Sequence, residues 1–536
     1  MSFRKQDGCI SIQEVVTKNT GIQSEEFLNS SEEPYIHSLE QAVHLLLQHK
    51  DESIQIIGDY DTDGICATAI MENGLRRAGI HAQTRLPRRF SEGYGLSVKI
   101  INEIESGVVI TVDNGIAARE AIRVAKEKGL VVIVTDHHLP PEDENGDLLL
   151  PEADVIVDPA AEKESGFHNY CGAAIAYRFV KELFRQCQVE ADLSSLIVLA
   201  SIATVADVMP LIGPNRQLVA EGLKLINSGK GVTGLRILLE KLKMKGHLTE
   251  DDYGFKLGPI FNASGRLYDD GAERTLDLLK AKPTDVKIGW KADELILNNE
   301  KRKKVFKESL FIADEQLDKK AIRKRTPIVI YHPEFGEGII GLIAGEYCEK
   351  YKLPVVVFTK TKSGVLKGSG RSTEEVHLKQ ALDRIQDKIL GYGGHAGAAG
   401  LSIREEDLEE FRKAFIESCG KLKPLPKDVF YDLELDLSRL EETTAEVNRF
   451  APYGEGNPPI RFHLKGFAVD SYREIADGTG FMAKGRGLTL MGFDMAKKYA
   501  KLDYPKHIDA VGVLKENWFN NKRSFKLELV EIDASH

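Results

Sequence analysis

The segment Ile54-Gln55-Ile56-Ile57-Gly58-Asp59-Tyr60-Asp61-Thr62-Asp63-Gly64 decides the fold. Its apolar half, Ile54, Ile56 and Ile57, reads as a buried parallel strand. Asp59, Asp61 and Asp63 alternate just past the strand end, Gly64 breaks the run, and Cys66–Ala78 has helical spacing. Three carboxylates at the C-terminal mouth of a strand repel one another unless a cation reverses the local electrostatics. In an open α/β sheet that mouth is also where ligands bind. A metal site is therefore favoured over a solvated acidic turn.

Working outward, the same rhythm repeats. His81–Leu86 is expected to be a strand, followed by a loop from Pro87 to Ser97 and a helix over Val98–Ile104. Val108–Val112 ends in Asp113-Asn114-Gly115, Ala117–Lys128 is helical, Val131–Thr135 ends in Asp136-His137-His138, and Val155–Val157 ends in Asp158-Pro159. Strands alternating with helices predict a parallel sheet covered on both faces. Four of its strands finish in acid, or in acid plus histidine. Parallel strands bring their C-terminal ends to one edge, so these residues meet although distant in sequence. Residues 171–213 read as helical. Asp207 in their apolar centre is costly unless it is paired or ligating, so a ligand is preferred to a solvent-facing acid.

The chain has 536 residues, too many for one core, and three or four domains are expected. Charged residues make up 29% and hydrophobic ones 42%, and no apolar run has the length of a membrane span. The N-terminal MSFRKQDGCI has no h-region, so no signal peptide is read. Six scattered cysteines without a C-x-x-C pair fit a reducing compartment, the cytoplasm, and argue against a zinc ribbon. A net charge of −10 gives no global support for nucleic-acid binding, although a basic groove can coexist with it.

Gly258 to Arg266 reads as a glycine-bounded loop presenting Asn262 and Arg266, and residues 273–325 read as helical. The basic runs Lys301–Lys304 and Arg323–Arg325 suit a solvated face as well as a nucleic-acid contact. A second α/β unit starts at Thr326. Its Gly336-Glu337-Gly338-Ile339-Ile340-Gly341 matches GxGxxG, but the next strand ends in Phe358-Thr359-Lys360 with no acid for a ribose, so a dinucleotide site is rejected. A phosphate-tolerant helix N-terminus is the reading that survives. Gly368–Ser372 and Gly391–Gly397 are glycine-rich loops around Arg371 and His395, suited to an anion. Five short strands after Pro426 predict a small barrel of the oligonucleotide-binding type. Trp518 and Phe519, beside Lys515 and Lys522, are candidates for base stacking, with an ordinary surface aromatic as the alternative.

Taken together, Asp59-Tyr60-Asp61-Thr62-Asp63-Gly64, Val112-Asp113-Asn114-Gly115, Asp136-His137-His138 and Ala206-Asp207 resemble the core motifs of the DHH phosphoesterase superfamily. The Gly393-Gly394-His395 loop resembles that of its accessory DHHA1 domain. Arg89-Phe90-Ser91-Glu92-Gly93-Tyr94-Gly95, Asn262 to Arg266, Ser369 to Ser372 and Tyr453-Gly454-Glu455-Gly456-Asn457 resemble the RecJ branch, single-strand-specific 5′→3′ exonucleases. The resemblance implies an α/β fold with two α/β domains joined by a long helix, a DHH parallel-sheet domain and a DHHA1 domain, followed by a β-barrel OB-type domain. The expected boundaries are an N-terminal segment over 1–50 of unassigned role, DHH over 51–272, a connecting helical segment over 273–325, DHHA1 over 326–424 and OB over 425–536.

The resemblance also implies roles. Asp61 and Asp113 would hold one Mn2+ or Mg2+, and Asp63, Asp113, His137 and Asp207 a second, with Asp113 shared. Two such ions can supply an attacking hydroxide and relieve charge at phosphorus, and carboxylates with histidine suit manganese or magnesium better than a soft-ligand zinc site does. Asp59 and Asp136 would orient the site, His138 would meet the scissile phosphate or move a proton, and His395 would touch a phosphate near the cut. Arg89, Asn262, Arg266, Ser369, Arg371 and Ser372 would bind substrate, the arginines and Ser369 at a terminal 5′-phosphate. The implied partners are single-stranded DNA and a single-strand-binding protein or a helicase, in DNA repair and recombination; a cytoplasmic monomer without a membrane contact is expected from the cysteine pattern and from a sequence with no coiled coil or obvious exposed apolar stretch. Two rivals remain: a phosphodiesterase of short oligonucleotides or nucleotide messengers, and a non-catalytic DNA-binding scaffold.

Overall fold

A computed structural model describes residues 3–535 except 7, 30–32, 144, 245, 426–427 and 520–521, and excludes the side chain of Phe519. The base-stacking expectation for Phe519 therefore lies outside the described residues. The chain forms two compact units. One comprises Met1–Arg85, Gly95–Gly258 and Pro426–His536; the other comprises Leu86–Tyr94 and Pro259–Leu425.

The first unit is built on an all-parallel sheet of β1 (Ile54–Ile57), β2 (Gln83–Arg85), β3 (Val108–Val112), β4 (Val131–Thr135) and β5 (Val155–Val157), in the order β2-β1-β3-β4-β5. Ile56 stands between Thr84 and Ile110 in register. β3 is buried along its whole length, which is why its sequence is a continuous β-branched run with no polar alternation. Val109, Val132 and Val134 pack with Ile100, Ile101, Ile122 and Ala125, and each such fully buried side chain contributes about 1.5–3 kcal/mol. The sheet also contacts α1 (Thr62–Arg77) and α2 (Gly172–Cys187), and both helices pack on α3 (Ser194–Ala206). α1 and α2 approach closely because position 74 is glycine: a Cβ there would lie 2.2 Å from Val180 Cγ2.

In the second unit, residues 258–266 are not the expected loop. They form a helix, α4 (Gly258–Leu267). Pro259 suits a helix's first turn, and the glycines around the segment serve close packing rather than a turn, since a Cβ on Gly271 would lie 2.0 Å from Ser264 O. The long helix α5 (Ile288–Glu315) spans 28 residues. A five-stranded mixed sheet follows: β6 (Ile328–Tyr331), β7 (Val355–Lys360), β8 (Leu366–Arg371), β9 (Gly391–Gly394) and β10 (Ala398–Ile403), in the order β9-β10-β8-β7-β6. Only β6 and β7 are parallel, and α6 (Ile340–Tyr351) connects them.

Among the described residues, the C-terminal part of the first unit carries a seven-stranded sheet where the sequence predicts five strands: β11 (Leu433–Glu434), β12 (Arg461–Ala468), β13 (Ser471–Ile475), β14 (Gly480–Gly485), β15 (Leu488–Gly492), β16 (His507–Phe519) and β17 (Lys522–Ala534). Their order is β11-β12-β16-β17-β15-β14-β13, with register shifts at Leu464/Phe467 and Val511/Gly512 that bend the long strands. β13 and β14 escape a sequence reading because β13 carries no apolar run. The N-terminal segment belongs to this core. The strand Phe3–Lys5 pairs with Val429–Tyr431, and Ile12, Val15, Val16 and Phe27 pack among Phe450, Phe462 and Leu464. Arg216 ties the pieces together. Its guanidinium lies 4.7 Å over the Phe27 ring, and Nη2 donates to the carbonyls of Arg449 and Ala451 at 3.0 Å. Trp518 is exposed, and one face of its ring stacks on His247 with ring centroids 4.1 Å apart.

Candidate metal centre

The acids around the strand ends of the parallel sheet are presented by different local devices. After β1, Asp59 is buried and the chain turns so tightly that a Cβ on Gly64 would lie 2.6 Å from Asp59 N. Asp61 caps α1, its Oδ1 accepting from Asp63 N at 2.9 Å and Gly64 N at 3.2 Å. Asp63, in the first turn of α1, accepts from Gly172 N at 2.6 Å and Ala173 N at 2.8 Å where α2 begins. A carboxylate between two helix N-termini meets the positive ends of both backbone dipoles.

After β3, Asp113 adopts φ 62, a left-handed conformation that asparagine and aspartate tolerate better than most side chains. Asn114 secures it: Nδ2 donates to Ile57 O at 3.0 Å and Val112 O at 2.9 Å, and Oδ1 accepts from Leu96 N at 3.0 Å. After β4, Asp136 Oδ2 accepts from Ile116 N at 2.9 Å and Oδ1 from His137 N at 2.8 Å, while His138 Nδ1 lies 2.8 Å from Oδ1. Asp207 caps the C-terminal end of α3, followed by Val208 at φ 57.

These devices converge on one point. His137 Nε2 is buried and completes no hydrogen bond, yet carboxylate oxygens of Asp113, Asp63 and Asp207 stand 3.0, 3.6 and 3.7 Å from it. Asp59, Asp61 and Asp113 form one candidate ligand set, Asp63, His137 and Asp207 a second, and Asp113, His137 and His138 a third, each with ligand atoms within 4.8 Å of one another. Burial, with Asp63 and Asp61 nearby, pushes the Asp113 and Asp207 carboxyls well above the ordinary carboxylate range. Burial pushes His137 below the ordinary imidazole range, towards the neutral form that ligates metal. Burial also acts against the charge on His138, but its hydrogen bond to Asp136 prevails and lifts it to about 9. The donor set, one buried imidazole nitrogen amid mutually repelling carboxylates, fits divalent cations of the manganese or magnesium kind.

Sequence reading missed the groups that hold these ligands. The Gly172 and Ala173 amides carry no side-chain chemistry to flag them. Asp158, a strand-end acid that the sequence does show, is buried and pushed up to about 8, by burial first and then by Asp136, with Oδ1 accepting from Ala160 N at 2.9 Å.

The remaining expected site residues lie in the second unit. Arg371 Nη1 donates to Gly370 O at 2.7 Å and Ser369 Oγ at 3.2 Å. Gly341, in the first turn of α6, faces them: a Cβ there would lie 3.1 Å from Ser369 Oγ and 3.2 Å from Arg371 Nη2. Arg266 Nη1 donates to Gly338 O at 3.2 Å, and Asn262 Oδ1 is buried without a hydrogen bond. Ser372 Oγ donates to Val376 O at 2.7 Å. Arg89 N lies 3.3 Å from Asp269 O, and Asp269 also holds Phe90 and Ser91. His395 is exposed at the β9–β10 turn, its Nδ1 accepting from Gly397 N at 3.2 Å.

Comparison with known proteins agrees with this architecture. The model of the DHH family N-terminal domain matches residues 53–204, that of the DHHA1 domain residues 325–421, and that of the RecJ OB domain residues 431–531. The chain is 35% identical over 457 residues to the single-stranded-DNA-specific exonuclease RecJ of Dickeya dadantii, covering 79% of this chain and 77% of that protein. It is 34% identical to the Haemophilus influenzae protein of the same name over 79% of this chain and 77% of the relative. The crystal structure of RecJ from Thermus thermophilus in complex with Mn2+ matches with a TM-score of 0.82 at 27% identity, covering 97% of this chain and 76% of that one. With the DHH, DHHA1 and RecJ OB domains in that order, and this identity over most of its length, the chain belongs to the RecJ family of the DHH proteins.

Proposed function

We propose that the protein is a metal-dependent exonuclease that hydrolyses single-stranded DNA from the 5′ end, releasing 5′-mononucleotides with Mn2+ or Mg2+. The carrying observation is the buried His137 Nε2 with carboxylate oxygens of Asp113, Asp63 and Asp207 around it. Asp61 and Asp113 would hold one ion and Asp63, Asp113, His137 and Asp207 the other. Bound there, two divalent ions supply an activated water and neutralise charge at phosphorus.

The chain's own groups do the rest. The Gly172 and Ala173 amides fix Asp63, and Asn114 fixes the turn that carries Asp113. Asp136 orients both histidines: it accepts from the His137 amide and the His138 ring. Held protonated through Asp136, His138 can donate to a phosphate oxygen or to the leaving group. Asp59 is the remaining buried carboxylate of the cluster and helps to orient it.

The second unit supplies end recognition in this reading. Arg371 and Ser369, opposite Gly341, would receive the terminal phosphate, with Arg89, Asn262, Arg266 and Ser372 shaping that region and His395 meeting a phosphate near the cut. Among the described residues no helix is long and apolar enough to cross a membrane. A cytoplasmic monomer acting with a single-strand-binding protein or a helicase is the corresponding proposal for its assembly, and sizing and pull-down with those partners test it.

The test of function is a time course on one single-stranded DNA labelled separately at each end, with manganese and then with EDTA. Immediate release of the 5′ nucleotide, stepwise shortening of the 3′-labelled strand and arrest by EDTA are expected. Turnover of dinucleotides without attack on long strands would replace this reading with the small-substrate one. Binding without cleavage in either metal would leave a scaffold.

A further inference from the structure

α1 and α3 do not only serve the carboxylates. α1 carries Asp63 in its first turn and ends at Arg77; α3 opens with Ser194 and Ser195 and ends against Asp207. Arg77, Ser194 and Ser195 line one pocket of about 260 Å³ together with Asp192, Lys230 and Arg236. At 1.5 Å per residue, the 16 residues of α1 put this pocket roughly 24 Å from the metal centre.

The lining is cationic in a chain whose net charge is −10: three basic side chains face one carboxylate. That carboxylate is already engaged. Asp192 Oδ1 accepts from Ser194 N at 2.9 Å, and Oδ2 lies 3.1 Å from Lys230 Nζ. Arg77 is partly buried and fixed, Nη1 donating to Asp192 O at 2.7 Å and Nη2 to Ser195 Oγ at 3.1 Å. Burial, with Arg76 beside it, holds its guanidinium below the ordinary range, a cost that an anion would offset. Lys230 stands between Gly229 and Gly231, at φ 84 and 139. Arg236 is exposed and pairs with no carboxylate among the described residues.

We propose that this pocket binds a phosphate dianion, either free or as the ester group of a mononucleotide. Guanidinium forks match phosphate oxygens. A tetrahedral phosphate offers enough oxygens to meet two arginines, a lysine and a serine hydroxyl together, whereas a planar carboxylate offers two. The volume falls below the range of drug-sized sites, about 300–1,000 Å³, which suits an ion or small ester better than a strand. The inference does not depend on the exonuclease reading.

The test titrates inorganic phosphate, and separately dTMP, into the full-length protein in EDTA by calorimetry. Arg236→Glu reverses an exposed charge without touching the core, and its Tm is recorded as a check on folding. Saturable binding to the unaltered protein, weakened at least about tenfold by Arg236→Glu and unchanged in Asp113→Asn, is the expected result. Equal affinity for the two probes identifies the free ion as ligand, and tighter dTMP identifies the ester; both support the site. No saturable binding, binding indifferent to Arg236→Glu, or binding lost in Asp113→Asn would overturn it. So would Arg236-dependent binding of an oligonucleotide lacking a terminal phosphate with none of either probe, which would make the pocket a strand contact.

Discussion

Gly172→Ala adds a single methyl group, and the structure says where it lands. The new Cβ would lie 2.4 Å from Asp113 Cβ and 2.8 Å from Asp113 Cα, about 1 Å inside ordinary contact. Asp113 cannot swing aside as a long side chain would, because Asn114 and the positive φ fix its backbone. Relief therefore comes from moving the start of α2 away from β3, which stretches the 2.6 Å contact from Gly172 N to Asp63, or from moving Asp113 relative to His137. Overpacking of this kind costs about 1–3 kcal/mol of stability, and a displacement of about 1 Å among reacting groups costs on the order of 100-fold in rate. Gly74→Ala is the matched control. Its Cβ would lie 2.2 Å from Val180 Cγ2 in the α1–α2 seam, about three turns along α1 from Asp63. Both variants should lower Tm by several degrees. Only Gly172→Ala should also lose Mn2+ affinity by calorimetry and turnover on end-labelled single-stranded DNA. Normal Mn2+ affinity and turnover in Gly172→Ala would refute the reasoning; equal losses in both variants would mean that the centre responds to packing in general.

Asp113→Asn keeps a side chain that tolerates φ 62 and removes the shared charge, so hydrolysis should fall by at least about 100-fold while strand binding, read by anisotropy in EDTA, stays; parallel loss of both would make the residue structural. Arg371→Ala should narrow the rate ratio between 5′-phosphorylated and 5′-hydroxyl substrates, and an unchanged ratio would remove Arg371 from end recognition. Asp113 and Asp207 have folded pKa values raised above the ordinary carboxylate value of about 3.9, so without metal their contribution to stability is full below that pH and is lost as pH rises through the folded values. Mn2+ replaces those protons. The Tm gain from Mn2+ over EDTA should therefore widen as pH rises from about 5 to about 8, and a constant gain would show that these carboxyls do not titrate with metal.

Much of the centre is legible in sequence because parallel strands bring their ends to one edge. Asp59, Asp113 and Asp136 each follow an apolar run, and that pattern needs no knowledge of the loops between. Asp207 was legible for another reason: a lone carboxylate in an apolar helix has to be accounted for. What stayed hidden was whatever works through backbone or shape. Gly172 and Ala173 bind Asp63 through amides, and no residue type announces an amide. The glycines around Asn262 suggested a loop, but at Gly271 the missing Cβ makes room for the Ser264 carbonyl beside a helix. β13 lacks the alternation that marks a strand, because it lies at the sheet edge, pairs with β14 alone and has no buried residue. Trp518 is a base-stacking candidate in the sequence, and only the fold reveals that His247 already lies against one face of its exposed ring.

The left-handed turn at Asp113 also bears on how this protein can change over time. Few side chains sit comfortably at φ 62, and glycine, asparagine and aspartate are among those that do. The codons for asparagine and glycine each differ from those for aspartate by one base. Two of the single-base mutations open to Asp113 are thus ones the backbone accepts. With Asp113 as a metal ligand, they would silence the chemistry while sparing the sheet, the helices and the C-terminal domain. A lineage can lose catalysis here in one step and keep an intact fold, whereas mutation at Asn114, with three hydrogen bonds to the surrounding backbone, removes structure and activity together.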